Sequence, residues 1–122
     1  MAIDIKSRPF TSFDEFYPYY LSEHWDPACR RTHYIGTTLS FVMIALGIFV
    51  SPWFWLAVPF AGYGFAWYGH FFIEKNRPAT FTYPLWSLIS DYKMYFSAIS
   101  GKLPAQLKNA ERYVKSSELV TA

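Results

Sequence analysis

The stretch covering residues 32–73 contains no Asp, Glu, Lys or Arg, and it constrains the fold more than any other part of the chain. Two apolar spans lie inside it, at about 34–50 and 53–73, and only Ser51-Pro52 separates them. Each span is close to the roughly 20 residues that a helix needs to cross about 30 Å of hydrocarbon. Because the linker is too short for anything but a tight turn, the stretch predicts an antiparallel transmembrane hairpin.

The composition fits a small membrane protein of one domain. More than half of the 122 residues are apolar and 22% are aromatic, while both ends of the chain are polar and charged. We predict a single domain over residues 1–122, with a core at about 10–100 and a polar cytoplasmic tail at 101–122. The net charge of +2 is dispersed, which argues against a nucleic-acid surface. With a single cysteine, no internal disulfide can form.

Two amphipathic segments flank the predicted hairpin. The first begins with Thr11 or Ser12 as a helix N-cap, bends at Pro18 and carries aromatic side chains that suit the headgroup region. The second, at 84–100, has apolar residues at helical spacing interrupted by Asp91 and Lys93, which predicts an interfacial or bundle-packing helix, with a full crossing left open. The expected fold class is therefore all-α: a small multi-helix integral membrane bundle built on a transmembrane hairpin with flanking interfacial helices.

Basic residues give the orientation of the hairpin. Arg30 and Arg31 precede the first span, Lys75 and Arg77 follow the second, and the turn between the spans is uncharged. By the positive-inside rule, both termini and the open end of the hairpin face the cytoplasm. Residues 1–23 are charged and contain no apolar run typical of a cleavable targeting segment, so we expect the mature chain to begin near residue 1.

All three histidines of the chain lie at the open end of the predicted hairpin. His33 and His70 are at similar distances from the turn, and His24 could fold back across the break at Asp26-Pro27. Small residues follow helical steps from His33 and from His70, which indicates that both lie on the faces that meet. These steps comprise Gly36, Thr37, Ser40, Ile44 and Gly47 on one span and Gly62, Ala66 and Gly69 on the other.

Three imidazoles and a nearby carboxylate predict a metal site. Glu74 lies four residues after His70, on the same helical face, and such ligands suit Fe, Zn or Mn. Interfacial histidines are also common as simple polar tips, and Glu74 could instead pair with Lys75 or Arg77. Arg77 is explained as a topology anchor, but it could also hold the carboxylate of an amphiphile by a bidentate contact. Asp91 either keeps its helix at the interface or orients a ligating histidine from behind.

Three stretches of the sequence resemble a known family: FDEFYPYYLSEH, RRTHYIGT and YGHFFIEKNRPATFTYPLWSLISDYKM. They are similar to the DUF962, or Mpo1-like, family over about residues 10–100. The resemblance implies a multi-pass membrane protein with an Fe(II)-dependent dioxygenase activity that uses O2 to shorten 2-hydroxy fatty acids by one carbon. It also implies that His24, His33 and His70 are the essential histidines. We add Arg77 and Asn76 as predicted substrate contacts.

The short chain suits a bacterial relative of the inner membrane, or of the endoplasmic reticulum if the source is eukaryotic. Two other interpretations stay open. A zinc-dependent membrane hydrolase would use the same ligands to activate water. A non-enzymatic membrane hairpin, such as an accessory subunit or a lipid-packing scaffold, would use the histidines only as interfacial polar groups.

Overall fold

A computed structural model of the protein describes residues 10–121, and over that range it is all helical, as predicted. The five α-helices are α1 Phe13–Ser22, α2 Pro27–Phe49, α3 Val58–Tyr68, α4 Pro84–Ser100 and α5 Leu103–Thr121. A 3₁₀ helix, Pro52–Ala57, precedes α3, a π-helix, Gly69–Glu74, follows it, and a 3₁₀ turn, Ala79–Phe81, precedes α4. The expectation that the chain begins near residue 1 concerns residues outside the described range.

The described helices form two compact units. One, which we call the hairpin unit, is Asp26–Pro78 and contains α2 and α3. The other, which we call the α1 unit, contains α1, α4 and α5.

In the hairpin unit, α2 begins earlier than the predicted apolar span. Asp26 caps it, because the side-chain oxygen Oδ1 accepts from the N–H of Ala28 at 2.8 Å, and Pro27 occupies the first turn. Asp26-Pro27, expected as a break, therefore also starts the next helix. Over the described residues, α2 is the helix that is both long enough and apolar enough to cross a membrane. The second predicted span is helical throughout, but it changes from 3₁₀ to α to π geometry along its length.

Small residues bring the two arms of the hairpin together, as the sequence predicted. Gly36, Thr37, Ser40 and Gly47 on α2 are buried, and so is Ala66 on α3. At Gly36 the main chain of α3 lies where a side chain of α2 would otherwise be. A Cβ atom at this position would lie 2.9 Å from the carbonyl oxygen of Ala61. No side chain larger than hydrogen fits without moving the facing backbone.

Replacing Gly36 with alanine is therefore expected to destabilise the protein by about 1–3 kcal/mol, the usual cost of overpacking, because the facing atoms are backbone. Gly64 is the matched control, since a Cβ atom there meets nothing within 4 Å and alanine favours the helix. The measurement is thermal unfolding in detergent. A Gly36→Ala protein that unfolds no earlier than Gly64→Ala would contradict the close packing of α2 against α3.

The α1 unit is built around the aromatic residues of α1. Ser12 caps this helix by accepting from the N–H of Glu15 at 3.3 Å, and Pro18 lies inside it. The side chains of Phe16, Tyr17 and Tyr20 are buried, whereas the sequence suggested a position among lipid headgroups. The difference arises because α1 packs against both α4 and α5, so little of its surface is left for an interface.

In the same unit, α4 is buried on its small polar face and exposed on its apolar face. The buried positions are Ser87, Ser90, Met94 and Ser97. Of the seven residues of the predicted apolar stripe, Tyr92 and Tyr95 are half-buried and five are exposed: Leu85, Leu88, Ile89, Phe96 and Ile99. Residues 101–122, predicted as a polar tail, form the packed helix α5 within the described range, with Leu103, Ala110 and Val114 buried.

Candidate metal centre

His33 is held in α2 by the main chain of its own helix. Its Nδ1 lies 3.0 Å from the carbonyl oxygen of Cys29, which also accepts a 2.6 Å bond from the hydroxyl of Thr32. A carbonyl oxygen only accepts, so Nδ1 of His33 must carry the proton and Nε2 keeps its lone pair. His33 is 4% exposed, so its ring is buried.

His70 lies opposite His33 in the hairpin unit. The two ring centroids are 5.0 Å apart and the rings are nearly perpendicular, which confirms that the hairpin brings these histidines to the same depth. His70 is in the π-helix, a type of turn that is frequent at functional sites. Its Nδ1 lies 2.7 Å from the side-chain oxygen Oδ1 of Asn76.

His24 belongs to the α1 unit, just past the end of α1, and is 1% exposed. Its Nδ1 donates to the carbonyl oxygen of Tyr20 at 2.6 Å, and the two rings stack with centroids 4.0 Å apart. The hydroxyl of Tyr20 in turn donates to Oδ1 of Asp91. Asp91 thus bonds to the side chain of Tyr20, whereas His24 bonds to the main chain of the same residue. That Asp91 orients a ligating histidine stays a prediction.

The carboxyl group of Asp91 is strongly affected by its surroundings in α4. Burial raises its pKa to about 7, and the hydrogen bond from Tyr20 opposes this rise. The charge on Asp91 therefore changes close to physiological pH, in direct contact with the residue that holds His24.

The three histidines share one arrangement that metal-binding histidines typically have. In each ring, Nδ1 lies within hydrogen-bond distance of an oxygen atom of the protein, which makes Nε2 the nitrogen without a proton. All three rings are buried, and those of His33 and His70 face each other within the hairpin unit. The donor set, neutral imidazoles without a thiolate, suits Fe, Zn, Cu or Ni and is unsuited to Mg or Ca.

The predicted residues Glu74, Asn76 and Arg77 all lie in the hairpin unit. The Glu74 carboxylate accepts from the main-chain N–H of Asp26, the cap of α2. Asn76 contacts His70, and Arg77 is exposed.

The predictions from sequence did not include Tyr20 among the site residues. Its position four residues before His24, on the same helical face, could have indicated it. The main-chain carbonyl oxygen of Cys29, which holds His33, has no signal in the sequence.

Comparison with known proteins identifies the family of the chain. The family model described as 2-hydroxy-palmitic acid dioxygenase Mpo1-like matches residues 10–103, which include all three histidines, Glu74, Asn76, Arg77 and Asp91. Comparisons with curated proteins and with solved structures give no significant match. Because the family model covers most of the chain, the protein belongs to the Mpo1-like family.

Proposed function

We propose that this protein is an Fe(II)-dependent dioxygenase that shortens 2-hydroxy fatty acids by one carbon at a membrane. The observation that carries the proposal is the common arrangement of His24, His33 and His70, in which each ring is buried and has an oxygen acceptor at Nδ1, so that Nε2 is the nitrogen without a proton. Three nitrogen ligands leave coordination positions open for a substrate and O2. The family to which the chain belongs supports the choice of substrate and reaction.

His24 joins the proposed ligand set through the covalent connection between α1 and α2. It lies two positions before Asp26 in the chain, so the two Cα atoms are within about 7 Å of each other. The main-chain N–H of Asp26 donates to the carboxylate of Glu74, and Glu74 follows His70 in the same π-helix. Glu74 remains a predicted fourth ligand, and its observed bond suggests that it also ties the π-helix to the start of α2.

The overall reaction is balanced without an added reductant. One 2-hydroxy acid and one O2 give the fatty acid with one carbon fewer, one CO2 and one water, so that O2 takes up all four electrons. Iron, when bound, would supply the activation of O2 that organic groups of the protein cannot provide. The protein's own residues bind the acid, fix the imidazoles and keep bulk water away from the buried rings.

Arg77 and Asn76 are the proposed contacts to the acid headgroup. Arg77 follows the π-helix, is exposed and has the planar donor geometry that binds a carboxylate with two hydrogen bonds. Asn76 contacts His70 through its side-chain oxygen, so its side-chain NH₂ group would lie beside the headgroup of a bound acid.

The exposed surface of the hairpin unit supports a position in the membrane. Soluble monomers rarely expose large contiguous apolar patches, but many large apolar side chains of α2 and of residues 52–74 are exposed. They include Ile35, Val42, Ile48, Phe49, Trp53, Leu56, Phe60, Phe71 and Phe72. We propose that α2 and residues 52–74 span a bilayer, with the termini and the histidines towards the cytoplasm, where the flanking basic residues favour them.

The proposal is tested by metal content and by turnover. Protein purified anaerobically in detergent is expected to contain about one iron per chain and, once O2 is added, to consume one O2 for each 2-hydroxy acid shortened. The fatty acid of the same length without the hydroxyl is the control substrate and is expected to give no turnover. Stoichiometric zinc with hydrolase activity would favour the zinc interpretation, and protein without metal that supports no turnover would favour a non-enzymatic hairpin.

A further inference from the structure

We propose that Asn76 is a positioning residue for His70, in addition to any contact it makes with substrate. Its side-chain oxygen lies 2.7 Å from Nδ1 of His70. In this arrangement Asn76 fixes the proton on Nδ1 and leaves Nε2 as the ligand atom. The inference rests on the proposed function only in taking Nε2 as a ligand of a metal; the tautomer itself is a property of the metal-free protein.

The backbone that follows His70 reverses direction, and this turn places Asn76 next to His70. The π-helix ends at Glu74, and Lys75 adopts a left-handed conformation, with φ 57° and ψ 42°. Within the described residues, Lys75 is the one non-glycine residue with positive φ. The N–H groups of Lys75 and Asn76 both donate to the carbonyl oxygen of His70, the latter at 2.9 Å. His70 is thus held at its main chain and at its ring by the same short turn.

The other two histidines have a different kind of acceptor at Nδ1. His24 and His33 each use the carbonyl oxygen four residues earlier, at Tyr20 and Cys29. At Nδ1 of His70 the acceptor is instead a side-chain oxygen, that of Asn76, six residues later in the chain. Lys75 ends the π-helix in the left-handed region, a common way for a helix to end, and the chain reverses there towards His70.

A positioning role and a substrate contact predict different results for Asn76→Ala. Loss of a substrate contact would raise KM and leave the metal-free site unchanged. Loss of a positioning residue would change the protonated nitrogen of His70 and weaken metal binding by about 10–100-fold. Asn76→Asp keeps an oxygen acceptor and is expected to restore both properties.

The experiment is imidazole ¹⁵N NMR of the metal-free protein in detergent, above neutral pH, where the chain's three histidines give a simple spectrum. In the wild type we expect the proton of all three rings on Nδ1. In Asn76→Ala, the signal of His70 should shift towards the Nε2–H form while that of His33 stays unchanged, because His33 bonds to a main-chain carbonyl. Anaerobic titration with Fe(II) alone then measures the loss of affinity and its recovery in Asn76→Asp.

Two outcomes would overturn the inference. One is a wild-type His70 protonated on Nε2, a result that needs no variant and so does not depend on how Asn76→Ala folds. The other is a His70 signal and an Fe(II) affinity that both stay unchanged in Asn76→Ala. An Nδ1–H tautomer that depends on Asn76 in a protein that binds no Fe(II) would instead overturn the proposed function and leave the positioning role of Asn76 intact.

Discussion

Replacing His70 with alanine is expected to abolish O2-dependent turnover of 2-hydroxy fatty acids and to remove the bound iron, while the helical structure is retained. The ring of His70 contacts His33 edge to face and presents a buried Nε2, so its loss removes one of three nitrogen donors. His24→Ala and His33→Ala should have the same effect, because two imidazoles hold Fe(II) weakly. Metal analysis after anaerobic purification and an oxygen electrode measure the two losses.

A stability measurement separates loss of metal from loss of fold. A metal that binds only the folded protein stabilises it by about 2.7 kcal/mol at a concentration of 100 times Kd, so Fe(II) should raise the Tm of the wild type and leave that of each histidine variant unchanged. Val42→Ala, at an exposed position of the helix that carries His33, is the control and should behave like the wild type. Full iron content and turnover in His70→Ala would refute the assignment of this ligand.

Replacing Asp91 with asparagine is expected to flatten the pH dependence of stability. Burial raises the pKa of Asp91 to about 7 in the folded protein, well above its range in an unfolded chain. Between about pH 4 and pH 7 the folded protein therefore holds this proton more tightly, and the unfolding free energy falls as the pH rises, on the order of 2–4 kcal/mol across the window. Asparagine cannot ionise, so that fall should be lost.

The test is thermal unfolding of metal-free protein at several pH values between 4 and 8. Tyr20→Phe is the matched variant, since it keeps the ring stacked on His24 but removes the hydroxyl that donates to Asp91. Because that hydrogen bond lowers the pKa of Asp91, its loss should move the upper end of the window to higher pH. Identical pH profiles for the wild type and Asp91→Asn would show that Asp91 is not protonated in the folded protein at neutral pH.

These experiments also separate the proposed dioxygenase from its two rivals. A zinc hydrolase would lose zinc in the histidine variants and would turn over substrate without O2. A non-enzymatic hairpin would bind no stoichiometric metal, and the histidine variants would differ from the wild type only in stability. The shared Nδ1 arrangement of the three rings argues against that rival, since a polar tip at an interface has no need for a fixed tautomer in a buried ring.

Some of the site could not be predicted because it depends on atoms that leave no pattern in a sequence. The acceptors for His24 and His33 are main-chain carbonyls, which every residue has. The link from Asp91 to Tyr20 joins residues 71 positions apart, and no periodicity relates them. The apolar stripe of α4 was found correctly, but periodicity alone cannot say whether such a stripe faces protein or lipid, and in the structure most of it is exposed.

The sequence by itself determined the helical hairpin and the pairing of His33 with His70. A long stretch without charges permits little else, the short linker forces the arms to be antiparallel, and small residues choose the faces that meet. Only the tertiary structure decided which nitrogen each histidine presents and which residues hold the rings. The reason is that a tautomer is set by the hydrogen bond at the other nitrogen, and those partners, from Tyr20 to Asn76, are brought to the rings by backbone geometry.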